Sequence, residues 1–324
     1  MATPSVISLK TLWAIISADP QRARRLATYA SLATAVTLIL AKSGAWLATD
    51  SMVLLSSLLD STMDLLASGV AAYGVAHALR PPDRQHRFGH GKAEPLAALA
   101  QAAFIVGSAA VLGYEALGRF LHPQHIHAPL IGYAVSLLAI VLTIALVSFQ
   151  NVVVRRTGSV AIGADRLHYT GDVMMNGAVI VGLALQQVTG ALWFDPLFAL
   201  GIAGFLTWNA LHIARSSLGM LMDQELPETD RAGILAVAKA HESVRGVHDL
   251  RTRTDGSRWF IDMHLELPPD MPLRVAHEVA EDVITRLARV YPQADVMIHE
   301  DPSGIEEPQL DREIEARAAE KRHG

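Results

Sequence analysis

The stretch Asp60-Ser61-Thr62-Met63-Asp64 lies inside an apolar run from Met52 to about Ala78. A run of that length crosses a bilayer as a helix, and residues four apart on a helix share a face, so two carboxylates stand side by side within it. An ionised acid at the bilayer centre costs roughly 2.5–3.5 kcal/mol even on lenient scales, so such a pair faces a polar interior. His168 and Asp172 repeat the same spacing near the start of a second long apolar segment. Together the two helices offer three carboxylates and one imidazole, a tetrahedral set for a divalent cation of the zinc class. The bland alternative, a set of interhelical hydrogen bonds that happens to include acids, asks for that desolvation twice over for packing alone.

Composition agrees with several spans. The chain has 324 residues, of which 51% are hydrophobic and 18% charged, too apolar for an ordinary soluble protein. Residues 1–222 hold 14 Lys+Arg against 10 Asp+Glu, whereas residues 223–324 hold 13 against 22. The acidic second part repels nucleic acid and anionic lipid but concentrates cations. The chain has no cysteine, which excludes disulfides, thiolate zinc sites and iron–sulfur clusters and leaves any metal to His, Asp and Glu.

Hydropathy and helix breakers predict six spans, at about 24–48, 52–79, 94–120, 128–154, 160–188 and 194–221. The first long apolar run, from about Leu26, reads as a retained first helix, preceded by a cytoplasmic N-terminal segment over residues 1–23 that carries a short apolar patch from Leu12 to Ile16. Residues 24–222 thus form the transmembrane domain. Arg22, Arg24 and Arg25, then Arg80, Arg84, Arg87 and Lys92, then Arg155 and Arg156 mark the cytoplasmic side, which puts both termini inside. Lys42 falls within the first span and is expected to snorkel towards the outer interface. Gly69 and Gly74 in the second span, and Gly171, Gly177 and Gly182 in the fifth, would let the two acid-bearing helices approach closely.

Between the second and third spans runs Pro81-Pro82-Asp83-Arg84-Gln85-His86-Arg87-Phe88-Gly89-His90-Gly91-Lys92. The double proline ends a helix, and Asp83, His86 and His90 offer three ligands in a loop. The rival reading is a solvated basic loop. Gly89-His90-Gly91-Lys92 lacks the upstream glycine and the following Ser or Thr of a phosphate loop, so no nucleotide site is expected and energy must come from ion gradients. The His-Glu-x-x-His pattern of a metalloprotease is also absent, which argues against an enzyme. A membrane-embedded metal sensor without transport is the alternative function.

Residues 223–302 read as a small α+β domain of αββαβ order: a helix over 229–242, strands over 246–254 and 258–267, a helix over 273–291 and a strand over 294–300, with Asp255-Gly256 as the turn between the first two strands. Period-two alternation places Ile261, Met263, Leu265 and Leu267 on one face and His264 on the other. His248, His264, His277, His299 and Asp301 are candidate ligands here. Residues 303–324 are charged and read as a mobile tail.

Four stretches together are similar to one family: Leu59-Asp60-Ser61-Thr62-Met63-Asp64; Phe88-Gly89-His90-Gly91-Lys92-Ala93-Glu94; His168-Tyr169-Thr170-Gly171-Asp172 with Asn176; and His248-Asp249-Leu250-Arg251-Thr252-Arg253. The chain resembles the cation diffusion facilitators, most closely their bacterial zinc and ferrous-iron efflux pumps, over about residues 24–302. The resemblance implies a homodimer in the inner membrane, with six spans per subunit and a metallochaperone-like cytoplasmic domain. It implies a transport site at Asp60, Asp64, His168 and Asp172, a loop site at Asp83, His86 and His90, and a two-metal cytoplasmic site at His248, His264, His277, His299 and Asp301. Lys92 and Asp223 match positions that form charge pairs where subunits meet. Glu300 departs from the glutamine expected at its place. The expected activity is proton-coupled export of Zn²⁺, with Fe²⁺, Cd²⁺, Co²⁺ or Mn²⁺ as other cargo, and His168 is the expected proton carrier because an imidazole must lose its proton to bind metal.

Overall fold

The computed structural model describes residues 19–49, 52–121, 130–189 and 193–304, together with residues 310, 312, 314 and 317. The predicted N-terminal segment before residue 19, and most of the tail beyond 304, lie outside the described residues. The chain divides into two compact units, Met1–Leu218 and Gly219–Gly324.

The first unit is helical. Its described helices are α1 (Pro20–Thr49), α2 (Met52–Ala78), α3 (Ala93–Leu121), α4 (Leu130–Thr157), α5 (Val160–Thr189) and α6 (Phe194–Leu221), each within a few residues of a predicted span. Among the described residues, four are long and apolar enough to cross a membrane by length and composition: Pro20–Ala48, Ala93–Gly118, Leu137–Thr157 and Pro196–Leu221. The other two, α2 and α5, carry the acidic pairs.

Local chemistry sets the helix ends. The Asp19 carboxylate accepts the N–H groups of Gln21 and Arg22 at 2.9 and 3.1 Å and caps α1. Gly158 ends α4 with φ of 65°, returning its N–H to the Val154 carbonyl at 2.9 Å. The Ser159 hydroxyl then caps α5 by accepting the Ile162 N–H at 3.3 Å. Two prolines, Pro81 and Pro82, follow α2 and prevent its continuation.

Small side chains hold the helices together, as expected where lipid offers no hydrophobic drive. One cluster joins Ala23, Ala27, Val75, Ala97, Ala98, Val153, Ala161, Ile162 and Ala164, and another joins Ala102, Ile105, Ala109, Leu167, Ile202, Ala203, Leu206 and Ala210. Buried polar clamps reinforce them. The Arg24 guanidinium pairs with Glu94 at 3.2 Å and donates to the Thr157 carbonyl at 3.0 Å, tying α1 to α3 and to the end of α4.

Two sequence expectations change here. Gly74 packs against Ala93 and Ala97 of α3, and Gly171 against Leu206 of α6, while Gly69 and Gly177 have open space where a Cβ would stand. Gly74 and Gly171 therefore seat α2 and α5 on their other neighbours; the surroundings of Gly182 lie outside the described residues. Lys42 does not snorkel. Its ammonium turns towards α2 and donates to the Ser57 carbonyl at 3.0 Å and the Ser61 hydroxyl at 2.6 Å, acceptors one helical turn apart.

The second unit contains α7 (Glu228–Lys239), β1 (Gly246–Thr254), β2 (Trp259–Leu267), α8 (Leu273–Val290) and β3 (Ala294–Pro302). The sheet order is β1-β2-β3, with β1 antiparallel and β3 parallel to β2. The β1–β2 turn is built on the Asp255 carboxylate, which accepts the N–H groups of Ser257 and Arg258, both at 2.8 Å, while Gly256 takes φ of 89°. As the alternation predicted, Ile261, Met263, Leu265 and Leu267 are buried. The buried stripe of α8, Ala276, Val279, Ala280, Val283 and Leu287, follows the 3.6-residue period.

Gly74→Val forces a methyl into Ala97, so it should destabilise the helical unit by about 1–3 kcal/mol. Gly69→Ala, which meets nothing within 4 Å, should be close to neutral. Thermal midpoints of the two purified variants in one detergent check the contrast.

Candidate metal centres

Helix geometry carries Asp64 and His168 to the same depth on facing helices. His168 Nε2 and Asp64 Oδ1 lie 2.8 Å apart, and ligand atoms of Asp64, His168 and Asp172 all fall within 4.8 Å of one another. Two carboxylates and an imidazole at that separation can close on one small divalent cation. Asp60, a turn along α2, does not join this group and is exposed. The Asn176 amide donates to the Asp172 carbonyl at 2.8 Å, within its own helix.

A carboxylate the sequence reading passed over sits one turn before His168. Asp165 is only 3% exposed. Its Oδ2 accepts the Ser31 hydroxyl at 2.6 Å and the Gln150 amide at 2.7 Å; its Oδ1 accepts the Ser68 hydroxyl at 2.9 Å and the Gln101 amide at 3.3 Å. The Tyr169 hydroxyl lies 3.0 Å from that of Ser68. Five helices, α1 to α5, thus meet on one side chain. Ser68 is one turn from Asp64 on α2, so the hub fixes both ligand-bearing helices directly beside the cluster. The available signal was a further acid in an apolar helix, three residues from His168.

In the loop after α2, the Asp83 carboxylate folds the chain around itself. It accepts the backbone N–H of His86 at 2.7 Å and of Gln85 at 2.8 Å. Those two bonds, His86 first, hold its carboxyl below the usual carboxylate range. The same side chain lies 3.3 Å from His86 Nδ1 and 3.3 Å from His90 Nε2, and the three residues form a second ligand cluster.

Strand register builds the third. His248 of β1 stands opposite His264 of β2, which stands opposite His299 of β3, so three imidazoles form a row across the sheet. Asp301 reaches back to them. Its Oδ2 lies 2.8 Å from His264 Nδ1 and 3.3 Å from His248 Nε2, and its Oδ1 lies 3.1 Å from His299 Nε2. His248, His264 and Asp301 are close enough to share an ion, with His299 on the solvent side. His277 sits on the exposed face of α8, outside this group. Asp223 pairs with Arg253 at 3.5 Å.

Residues 28–222 match the cation efflux transmembrane domain, and residues 226–303 match the cytoplasmic domain of cation efflux proteins. The chain belongs to the cation efflux family, membrane transporters rather than enzymes, and the resemblance to cation diffusion facilitators holds. It is 46% identical over 297 residues to "Cation-efflux pump FieF" of Pectobacterium carotovorum subsp. carotovorum (strain PC1), covering 91% of this chain and 99% of that protein. It is 44% identical over 284 residues to the pump of the same name in Cronobacter sakazakii (strain ATCC BAA-894), covering 87% and 94%. Among solved structures, "Metal-bound C-terminal domain of CzcD transporter from Thermotoga maritima" is 28% identical, covering 25% of this chain and 100% of that one, with a TM-score of 0.24.

Asp165→Ala strands four donors in a dry interior. At about 1–3 kcal/mol for each buried group left unpaired, it should lower the stability of the helical unit by at least about 3 kcal/mol. Asp165→Asn, which keeps an acceptor oxygen, should cost distinctly less. Denaturation of both variants in detergent checks the order.

Proposed function

We propose that this protein exports divalent metal from the cytoplasm by alternating access, in exchange for protons. The transport site is formed by Asp60, Asp64, His168 and Asp172, with Zn²⁺ the leading cargo and Fe²⁺, Cd²⁺, Co²⁺ and Mn²⁺ alternatives. Three acids and one imidazole accept all of these with different preferences. Asp60, one turn from Asp64 on α2, is the fourth ligand of that set. The protein works as a homodimer in the inner membrane with both termini cytoplasmic, and Lys92 and Asp223 form charge pairs at the dimer contact. The row of His248, His264 and His299, with Asp301 and His277, holds metal in the cytoplasmic domain.

One observation carries the coupling: His168 Nε2 sits 2.8 Å from Asp64 Oδ1. That nitrogen can either donate a proton to the carboxylate or offer its lone pair to a metal, but not both. When both ring nitrogens carry protons, metal entry at Nε2 releases one proton to the surroundings, and its return to the ring expels the metal. Metal and proton share a site, which is the minimum an exchanger needs. The names of the similar pumps support the direction of transport.

Proteoliposome flux tests the reading and separates it from a membrane metal sensor, which binds without moving metal. Asp64→Ala should abolish flux of Zn²⁺ with dimer formation intact. Zn²⁺ affinity of the unaltered protein should fall as pH drops. His168→Asp should keep transport but move that fall to lower pH, since the reference value drops from about 6.5 for imidazole to about 3.9 for a carboxyl, and it should favour Mn²⁺. Retained flux in Asp64→Ala removes the site. An unchanged pH profile in an active His168→Asp variant shifts the proton to a carboxylate.

A further inference from the structure

His77, the penultimate residue of α2, is absorbed by none of the three clusters. Its ring stacks on Tyr73 at 5.6 Å and stands edge-on to His90, with centroids 4.9 Å apart and planes at 90°. Its Nδ1 is buried without a hydrogen-bond partner among the described residues, and so is Nδ1 of His90. A buried polar nitrogen left unpaired costs about 1–3 kcal/mol, so two on adjoining rings ask for a reason. The charges of Arg80, His86 and Asp83 also act on His77.

A tetrahedral zinc–imidazole bond of about 2.0–2.1 Å, with the ring centre about 1 Å further on, places the centroids of two imidazoles sharing an ion about 5 Å apart. His86 and His90 stand 4.5 Å apart and His77 and His90 4.9 Å. Both separations suit rings around one ion. We infer that His77 is the fourth ligand of the loop site, closing Asp83, His86 and His90 into a three-nitrogen, one-oxygen shell for a zinc-class cation. The inference rests on the proposed loop site. His77 touches that cluster through His90 rather than Asp83, so ligation turns its imidazole about the side-chain bonds towards the ion, a movement its unpartnered nitrogen does not resist.

The consequence is a change in kind. Three protein ligands leave an open position for water and exchange, whereas four make a closed, structural type of site. With His77 the ion anchors the loop after Pro82 to the end of α2, and the nitrogen-rich shell prefers Zn²⁺ or Co²⁺ to the harder Mn²⁺.

The test uses the full-length protein in detergent, carrying Asp64→Ala and His264→Ala to silence the other two clusters, titrated with Co²⁺ and read by visible absorption. Tetrahedral Co²⁺ absorbs several-fold more strongly than six-coordinate Co²⁺. One Co²⁺ with an intense four-coordinate band is expected. His77→Phe retains the ring packing on Tyr73 and His90 but offers no nitrogen. It should keep the circular dichroism while cutting the band several-fold and weakening Co²⁺ binding about tenfold or more. If His77→Phe perturbs the fold, His77→Ala is read instead. An unchanged band and affinity in the His77 variant, with both lost in His90→Ala, overturns the fourth ligand and spares the loop site. If His90→Ala changes neither, the loop site falls and this inference with it.

Discussion

A carboxylate within a bilayer must be met by donors or by a cation, because no water is there to meet it. Much of the helical unit follows from how its acids satisfy that constraint. Asp165 is met by four neutral donors, which use both oxygens and leave no capacity for anything else. Asp64 is met by His168 at 2.8 Å, and the ligand atoms of Asp64, His168 and Asp172 stand within 4.8 Å of one another, two like charges that a cation would relieve. A saturated acid is a fixed brace; an unsaturated group is a site. The two lie one helical turn apart, so the brace determines where the site's backbone stands.

The same reasoning explains what the sequence made legible. Acids and imidazoles four apart in apolar runs mark themselves, because lipid makes every one of them improbable without a use. The grouping of Asp64, His168 and Asp172 was readable for that reason, and so were the helices that carry them, whereas Asp60, at the same spacing, stays exposed outside the group. Their partners were not. Ser31, Ser68, Gln101 and Gln150 are ordinary in membrane helices, and nothing in the chain says that four different helices turn them towards Asp165. Lys42 illustrates the limit from the other side. A single sequence gives its depth but not the direction of its stem, so snorkelling towards water and donation to Ser57 and Ser61 look alike until α2 is placed beside α1.

In the second unit the candidate ligands could be named from the chain, but not which of them meet. His248, His264 and His299 are spread over about fifty residues, and alternation alone puts each on a strand face. Their row exists because β1 is antiparallel and β3 parallel to β2 in one particular register. A slip of one residue in either pairing would send an imidazole to the buried face. The bulge between His248 and Arg251, where Asp249 takes φ of 50°, lets His248 keep its place opposite His264 while the register changes beyond it.

Donor composition separates the clusters chemically. The intramembrane group is rich in oxygen, with His168 as its single nitrogen donor, a donor set that suits hard and borderline divalent ions. The loop cluster has one carboxylate, and that one is committed to the backbone N–H groups of His86 and Gln85 as well as to any ion. Holding Asp83 ionised below the usual carboxylate range keeps the loop's turn and its oxygen ligand together as pH falls, since its contribution is lost only when the pH passes below that lowered value. The intramembrane group stands beside the Asp165 brace, and the loop carboxylate closes the turn that follows α2.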